Sequence, residues 1–196
     1  DDPLPPGEAW PDFARYCRAH RAGLLDLLAN NTVQTTYAER CVNLVAPLAY
    51  VADRAGEPLH LVEIGCSAGV LLTYDKYAYE FEGRGRIGAA NAVMSLPGRI
   101  TGDAPLRIPE VVSRTGLDIH PVDARSQAER RWLIALTFPE WRLERERLAT
   151  ALDTVARTEI RMVAGDAIET LPGVLSEVAQ GPLCIFHSAC LYYWSK

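Results

Sequence analysis

A glycine-rich turn that directly follows a short apolar segment limits the folds open to this chain. The apolar segment is Leu59–Ile64, and the turn spans residues 65–69, where Gly65 and Gly69 flank small side chains. A short apolar run bounded by turn residues is typical of a strand buried inside a parallel sheet. Residues without bulk let the backbone turn sharply and approach a ligand closely. We therefore predict a strand, a tight turn and, over 68–77, a helix whose first amides attract a negatively charged group.

Further apolar segments alternate with helical patterns along the rest of the chain. Strands are predicted at 116–119, 159–164 and 183–187, and helices at 127–136, 141–156 and 167–179. Strands that alternate with helices indicate an α/β domain with a parallel sheet flanked by helices. The sequence therefore predicts a Rossmann-like core over 59–196, in which residues 79–109 form an inserted hairpin or long excursion. The sheet is expected to be truncated after the fourth strand, whose exposed edge would pair with a second copy or with the remainder of a longer chain.

Residues 1–58 are predicted to form a helical extension before this core. The Pro-rich start is expected to be extended, and Asp12 is expected to cap a helix over 12–29. A capping-box pattern at 36–39 predicts the start of a second helix, and Gly56 predicts its end.

The overall composition disfavours several classes of protein. The net charge of −5 and the dispersed arginines disfavour binding to nucleic acid, which needs clustered positive charge. The five cysteines are odd in number and form no C-x-x-C pair, which disfavours a disulfide framework or a zinc ribbon and favours the cytoplasm. No apolar run reaches the length of a membrane span, and the first residues lack the pattern of a signal peptide. Because the chain does not begin with methionine, it is expected to be a trimmed or internal fragment.

The spacing of the small residues distinguishes between types of nucleotide ligand. The dinucleotide pattern G-x-G-x-x-G requires a third glycine where Val70 stands, and the pattern G-x-x-x-x-G-K-[ST] is absent. The form E-x-G-x-x-x-G is similar to the first motif of class I methyltransferases, with Ser67 where many of those enzymes have glycine. That resemblance implies that Glu63 orients the turn or meets the amino group of S-adenosylmethionine, which the turn would bind through Gly65, Cys66, Ser67 and Gly69. The alternative is that the glycines only shape a tight connection between a strand and a helix.

Two acidic residues follow the second and third predicted strands. Asp118 ends the strand at 116–119 and can accept hydrogen bonds from ribose hydroxyls, while Asp166 follows the strand at 159–164. In class I methyltransferases an acid at the latter place faces the adenine amino group. Carboxylates at the ends of parallel strands lie along the rim where α/β folds bind ligands. Alternatively, Asp118 flanks a turn around Pro121 and Asp166 caps the next helix.

His187 and Ser188 follow the fourth strand, where residues of class I methyltransferases border the reacting methyl group. His187 can act as a general base near neutral pH, and Ser188 can hydrogen-bond an acceptor. A structural hydrogen bond is the alternative role of His187. The other histidines, His20, His60 and His120, are scattered with no metal-ligand spacing, so no metal site is expected.

A set of linked motifs covers nearly the whole chain from about residue 13. The motifs are QTT and ERC at 34–36 and 39–41, LVEIGCSAGVLLTYDKYAY at 61–79, RTGLDIHPVD at 114–123, GDAIETLP at 165–172 and IFHSACLYY at 185–193. Together they resemble a bacterial family, domain-of-unknown-function family 2332. The resemblance implies a Rossmann-like fold similar to that of S-adenosylmethionine-dependent methyltransferases. It also makes Gln34 and Arg40 candidates for capping the cofactor pocket, with a structural role at the start of the second helix as the alternative.

The sequence thus predicts an S-adenosylmethionine-dependent methyltransferase with an unidentified acceptor, expected to be a small molecule. Two alternatives stay open. One is a methyltransferase-like binding or regulatory module without catalysis. The other is a nicotinamide-dependent oxidoreductase, against which Val70 counts.

Overall fold

The computed structural model describes residues 4–178 and 181–193, which hold a four-stranded sheet, a three-stranded sheet and the helices around them. The α-helices are α1 (Pro6–Ala19), α2 (Arg21–Asn30), α3 (Val42–Ala55), α4 (Gln127–Ala135), α5 (Arg142–Arg157) and α6 (Ala167–Glu177). The strands are β1 (Leu59–Ile64), β2 (Ala78–Phe81), β3 (Gly85–Ile87), β4 (Ser95–Gly98), β5 (Val111–Asp118), β6 (Arg161–Ala164) and β7 (Leu183–His187). Short 3-10 helices cover Ala38–Cys41, Leu71–Lys76 and Cys190–Tyr193. None of the described helices is both long enough and apolar enough to span a membrane.

The larger sheet is parallel throughout and has the strand order β6-β5-β1-β7. Counted along the chain within this sheet, the order is 3-2-1-4, which is compatible with the Rossmann-like order 3-2-1-4-5-6. The order reverses between β1 and β7, so the switch point of the sheet lies at their carboxyl ends. The predicted parallel α/β sheet is thereby confirmed, and β7 forms one edge of it in the described part of the chain. The predicted bounds of β1 and β7 match, whereas β5 begins earlier than predicted, at Val111, and β6 later, at Arg161.

The central strand β1 is buried because both faces of the sheet are covered. Five of its six residues are buried, among them the polar residues His60 and Glu63, so its sequence does not show the alternation of a strand with one exposed face. Leu59 and Leu61 belong to the larger core, to which α3, α4, α5 and the small sheet contribute. Val62 packs on the opposite face with Leu117 and with Val174 of α6. The helices predicted beside the later strands are confirmed as α4, α5 and α6.

The N-terminal extension is helical, but its helices differ from those predicted. Because proline suits the first turn of a helix, α1 begins at Pro6, so the prediction of an extended start over 1–11 is wrong from Pro6 onward. Residues 1–3 lie outside the described part of the chain. Asp12 lies inside α1 and pairs with Arg15 instead of capping a helix. The predicted single helix over 12–29 is divided at His20, whose φ of −108° and ψ of 20° interrupt the helical backbone.

The capping box predicted at 36–39 does not form. A 3-10 helix precedes α3, and its N-cap residue, Tyr37, makes no capping hydrogen bond through its side chain. The Glu39 carboxylate instead accepts a hydrogen bond from Nη1 of Arg147, on α5, at 3.0 Å. The end of α3 is as predicted, because Gly56 adopts the left-handed conformation, with φ of +70°, that closes a helix.

The largest difference follows the glycine-rich turn, where the described backbone forms no α-helix. The predicted helix over 68–77 is wrong, since a 3-10 helix covers Leu71–Lys76 and Thr73 interrupts it with non-helical angles. Within this segment, Nε of Arg114, on β5, donates to the carbonyl of Leu72 at 2.9 Å. The attraction for anions that an α-helix dipole would give this turn is therefore missing.

The inserted segment forms the predicted hairpin and one further strand. β2 and β3 pair antiparallel, and β4 pairs with β2 in parallel, which gives the order β3-β2-β4. The side chains of Tyr77, Tyr79 and Phe81 are buried in the larger core. The insertion therefore adds a second sheet to that core.

Candidate functional site

A cleft of about 770 Å³ opens at the carboxyl ends of the parallel strands. It lies at the switch point between β1 and β7, where open α/β sheets bind ligands. Its volume is within the usual range for small-molecule sites. The walls come from residues 32–36, 63–67, 117–120, 165–168 and 188–190, together with Arg40 and Leu71.

The glycine-rich turn lies in this cleft and has a backbone that few residues can adopt. Gly65 has a φ of +73°, and a β-carbon there would overlap Cβ of Cys190. Conformation and space therefore both require glycine at this position. Ser67 also has a positive φ, +51°, which is uncommon for a residue with a side chain. Its Oγ donates to Oε1 of Gln34 at 2.9 Å, a contact that requires a side chain at this position.

Asp118 ties three segments of the cleft together. Its Oδ2 accepts a hydrogen bond from the amide of Ser67 at 2.8 Å. Its Oδ1 accepts one from the amide of His120 at 2.9 Å and one from Nε2 of Gln34 at 3.4 Å. A carboxylate has about four acceptor positions, so these three contacts from described residues leave one position on Oδ2. Asp118 therefore holds the turn in place and keeps a single acceptor position for a ligand hydroxyl.

Gln34 and Arg40 both lie in the cleft wall, where the family resemblance implied them. Nε2 of Gln34 donates to the carbonyl of His120 at 2.9 Å, which joins the segment before α3 to the loop after β5. Nη1 of Arg40 donates to the carbonyl of Thr35 at 3.2 Å, and its guanidinium carbon lies 5.2 Å from the centre of the Tyr37 ring. Both side chains thus have structural partners as well as access to the cleft.

Glu63, near the end of β1, is only 2% exposed and still contributes to the cleft lining. Burial first, and the neighbouring Asp118 carboxylate second, raise the pKa of Glu63 well above its ordinary value, while Arg40 opposes that shift. Its Oε2 is buried and has no hydrogen-bond partner among the described residues. Because a buried polar atom without a partner costs free energy, Glu63 is suited to meet a polar group of a ligand.

The raised pKa of Glu63 predicts how the stability of the protein depends on pH. Between the pKa of an unfolded glutamate, about 4.3, and the raised value in the folded protein, only the folded state holds this proton. The free energy of unfolding therefore falls as pH rises through that range, by at most about 1.4 kcal/mol per pH unit from this group. The Glu63→Gln variant lacks this titration, so its stability should increase relative to that of the wild type as pH rises.

Urea unfolding at several pH values between about 5 and 8 measures this difference. Glu57→Gln is the matched control, because Glu57 is exposed and lies outside the cleft. A difference between Glu63→Gln and the wild type that stays constant over this range would contradict the prediction.

Asp166 caps α6, which is one of the two roles predicted for it from the sequence. Its Oδ1 accepts a hydrogen bond from the amide of Ile168 at 2.8 Å. Asp166 also lines the cleft, together with its neighbours Gly165 and Ala167. The capping role is confirmed, and contact with a ligand stays a prediction.

Two of the predicted site residues lie outside the cleft lining, His187 and Gly69. His187 pairs with Ile64 in the sheet and is exposed, but it is not among the residues that line the cleft. The next residue, Ser188, does line the cleft. The structure therefore brings the predicted serine to the cleft and leaves the predicted base outside its lining.

Cys66 lines the cleft and packs over β5. A β-carbon at Gly116 would lie 2.6 Å from Sγ of Cys66, so that glycine leaves the space which the thiol occupies. Burial raises the pKa of the Cys66 thiol, which keeps it protonated and weakly nucleophilic. Cys66 thus packs the turn against the sheet, and contact with a cofactor stays a prediction.

Fourteen lining residues are missing from the set predicted by sequence, among them Ile119, His120, Ile168 and Cys190. Ile119 and Ile168 are 62% and 78% exposed, and they follow the two acids within two residues. In the sequence, each of these isoleucines stands one or two positions after an acid that follows a predicted strand, and this pattern could have identified them. Cys190 has no such local signal, because only the fold brings it against Gly65.

These features define a mixed α/β protein with a cleft of small-molecule size at the carboxyl ends of a parallel sheet. The model of a protein family, DUF2332, described as uncharacterized protein conserved in bacteria, matches residues 1–196. The chain therefore belongs to this family, as its motifs predicted. Searches of the curated proteins and of the solved structures find no match to the chain.

Proposed function

We propose that the protein binds S-adenosylmethionine in the cleft and transfers its methyl group to an unidentified acceptor. The observation that carries this proposal is the buried Glu63 carboxyl, with its unpartnered oxygen, beside the glycine-rich turn of the central strand. Asp118 ends the neighbouring strand, and Asp166 follows the third strand. Three acids around one cleft, each at the end of a different parallel strand, suit a ligand that carries a nucleoside.

The apolar residues beside the acids support a nucleoside ligand. Ile119 and Ile168 line the cleft and expose most of their surface. A flat purine ring would cover this apolar surface, which is favourable. The Asp166 carboxylate would offer an acceptor for an exocyclic amino group, and Oδ2 of Asp118 would offer one for a ribose hydroxyl.

The positions of Glu63 and Arg40 support an amino-acid end on the same ligand. Both residues line the cleft, and Arg40 is close enough to influence the pKa of Glu63. A ligand ammonium group would stabilise the charged form of Glu63, and a ligand carboxylate would pair with the Arg40 guanidinium. S-adenosylmethionine carries both of these groups next to its nucleoside.

A binding module without catalysis is the second candidate, and the position of His187 favours it. This side chain lies outside the cleft lining, so the base predicted from sequence is not part of the candidate site. Methyl transfer from a sulfonium nevertheless has a good leaving group, and positioning can supply much of its rate. Turnover of a methyl acceptor would therefore distinguish the two candidates, whereas cofactor binding alone would not.

Calorimetric titration of S-adenosylmethionine, S-adenosylhomocysteine and NADH into the full chain tests the proposal. We expect saturable binding of the first two and none of NADH. Asp166→Ser removes the carboxylate but keeps a residue that caps helices, so affinity should fall about tenfold with little change in Tm. Asp103→Ser, at an exposed position outside the cleft, is the matched control and should bind like the wild type. If the folded protein bound neither adenosyl ligand, both candidate functions, the methyltransferase and the binding module, would be contradicted.

A further inference from the structure

A second cavity, of about 370 Å³, lies where α4 packs against α5, and it shares no lining residue with the cleft. Three of its lining side chains are arginines, namely Arg130, Arg131 and Arg145. The remaining lining residues are Gln127, Ile134 and Ala135. None of the lining residues is acidic, so the cavity is positively charged although the chain has a net charge of −5.

Two of these arginines lack an acidic partner among the described residues. Arg130 pairs with Asp153 at 2.5 Å and donates from Nη1 to the carbonyl of Ala124 at 3.1 Å. Within residues 4–178 and 181–193, neither Arg131 nor Arg145 has a carboxylate within ion-pair distance. The lining therefore carries two positive charges that the described residues do not compensate.

A second observation concerns the Nε of Arg145. This atom is buried and has no hydrogen-bond acceptor in the part of the chain that the structure describes. A buried donor of a charged group that lacks an acceptor loses its hydration without replacement. Arg145 lines the cavity, so an anion bound to its guanidinium group there would compensate part of that loss.

We propose that this cavity binds the phosphate group of a small soluble molecule. Guanidinium groups bind phosphate oxygens through paired hydrogen bonds, and a dianionic phosphate compensates both charges where a carboxylate compensates one. Ile134 and Ala135 give the organic part of such a molecule an apolar surface. The volume of the cavity suits a ligand at the small end of the usual range.

Calorimetric titration of inorganic phosphate and of pyrophosphate into the full chain, at constant ionic strength, tests this site. We expect saturable binding, which Arg131→Gln and Arg145→Gln should each weaken about tenfold, the effect of losing one charge-assisted hydrogen bond. Arg157→Gln is the matched control, because it removes the same charge from an exposed position of α5 outside the cavity. That variant should bind both probes like the wild type.

Two results would overturn the proposal: no saturable binding of either probe, or equal weakening by Arg157→Gln, which would mean a general attraction to the surface. Because Arg131 is exposed, Arg131→Gln should not perturb folding, and it decides the question if Arg145→Gln fails to fold. Vesicles of phosphatidylcholine with phosphatidic acid present the same chemical group on a membrane. If the protein sedimented with these vesicles but did not bind the free anions, the proposal of a soluble ligand would be contradicted.

Discussion

Replacing Gly65 by alanine is expected to lower the free energy of unfolding by about 3 kcal/mol. The φ of +73° at this position costs a residue with a β-carbon about 1–2 kcal/mol. The new methyl group would also overlap Cβ of Cys190, and overpacking of this kind costs about 1–3 kcal/mol. Because both residues line the cleft, the movement that relieves the overlap should also weaken ligand binding. Urea unfolding measures the first effect and calorimetry the second.

Gly83 provides the matched control for this substitution. It has a φ of +70° and nothing within 4 Å of an added β-carbon, so Gly83→Ala carries only the backbone cost, about 1–2 kcal/mol. The double variant Gly65→Ala/Cys190→Gly removes the overlap, and a double-mutant cycle isolates its contribution. Equal losses of stability for Gly65→Ala and Gly83→Ala would mean that Cys190 does not restrict this position.

The strands of the parallel sheet are predictable from the sequence because their signals are local. β1 and β7 are short apolar runs bounded by turn residues, and their bounds match the prediction. The helix expected over 68–77 does not form, and within this segment the carbonyl of Leu72 accepts a hydrogen bond from Arg114 on β5, a residue distant in sequence. No pattern within the segment itself shows that contact.

Some residues of the candidate site are likewise predictable from local sequence patterns, whereas others are not. Glu63, Asp118 and Asp166 are found from sequence because each lies at the end of a predicted strand, and parallel strands bring their carboxyl ends together. Gln34 enters only through the family resemblance, because its contacts with Ser67 and Asp118 join segments that are distant in sequence. Contacts of that kind arise from tertiary structure, which local patterns do not contain.

Replacing Arg114 by methionine is expected to cost about 3–5 kcal/mol of stability. Nη2 of Arg114 lies 2.6 Å from Oδ2 of Asp75, and the two side chains are only 10% and 11% exposed. Nε of Arg114 also donates to the carbonyl of Leu72 at 2.9 Å. Methionine fills much of the same volume but leaves the buried carboxylate without its arginine partner. The cost is large because the remaining charge stays desolvated, and urea unfolding measures it.

Two further variants separate the buried charge from the loss of a side chain. Lys76 Nζ lies 2.9 Å from the same Asp75 oxygen but is 45% exposed, so it compensates only part of the charge. Arg114→Met/Asp75→Leu leaves no buried charge at this place and should recover most of the loss, since apolar replacements of buried ion pairs are often neutral. Arg99→Met is the exposed control: its pair with Glu82 spans 3.4 Å at 81% and 72% exposure, and losing it should change stability by less than about 1 kcal/mol. Equal losses of stability for Arg114→Met and Arg99→Met would contradict the prediction. The buried pair of Arg114 and Asp75 would then not stabilise the 3-10 helix that follows the glycine-rich turn.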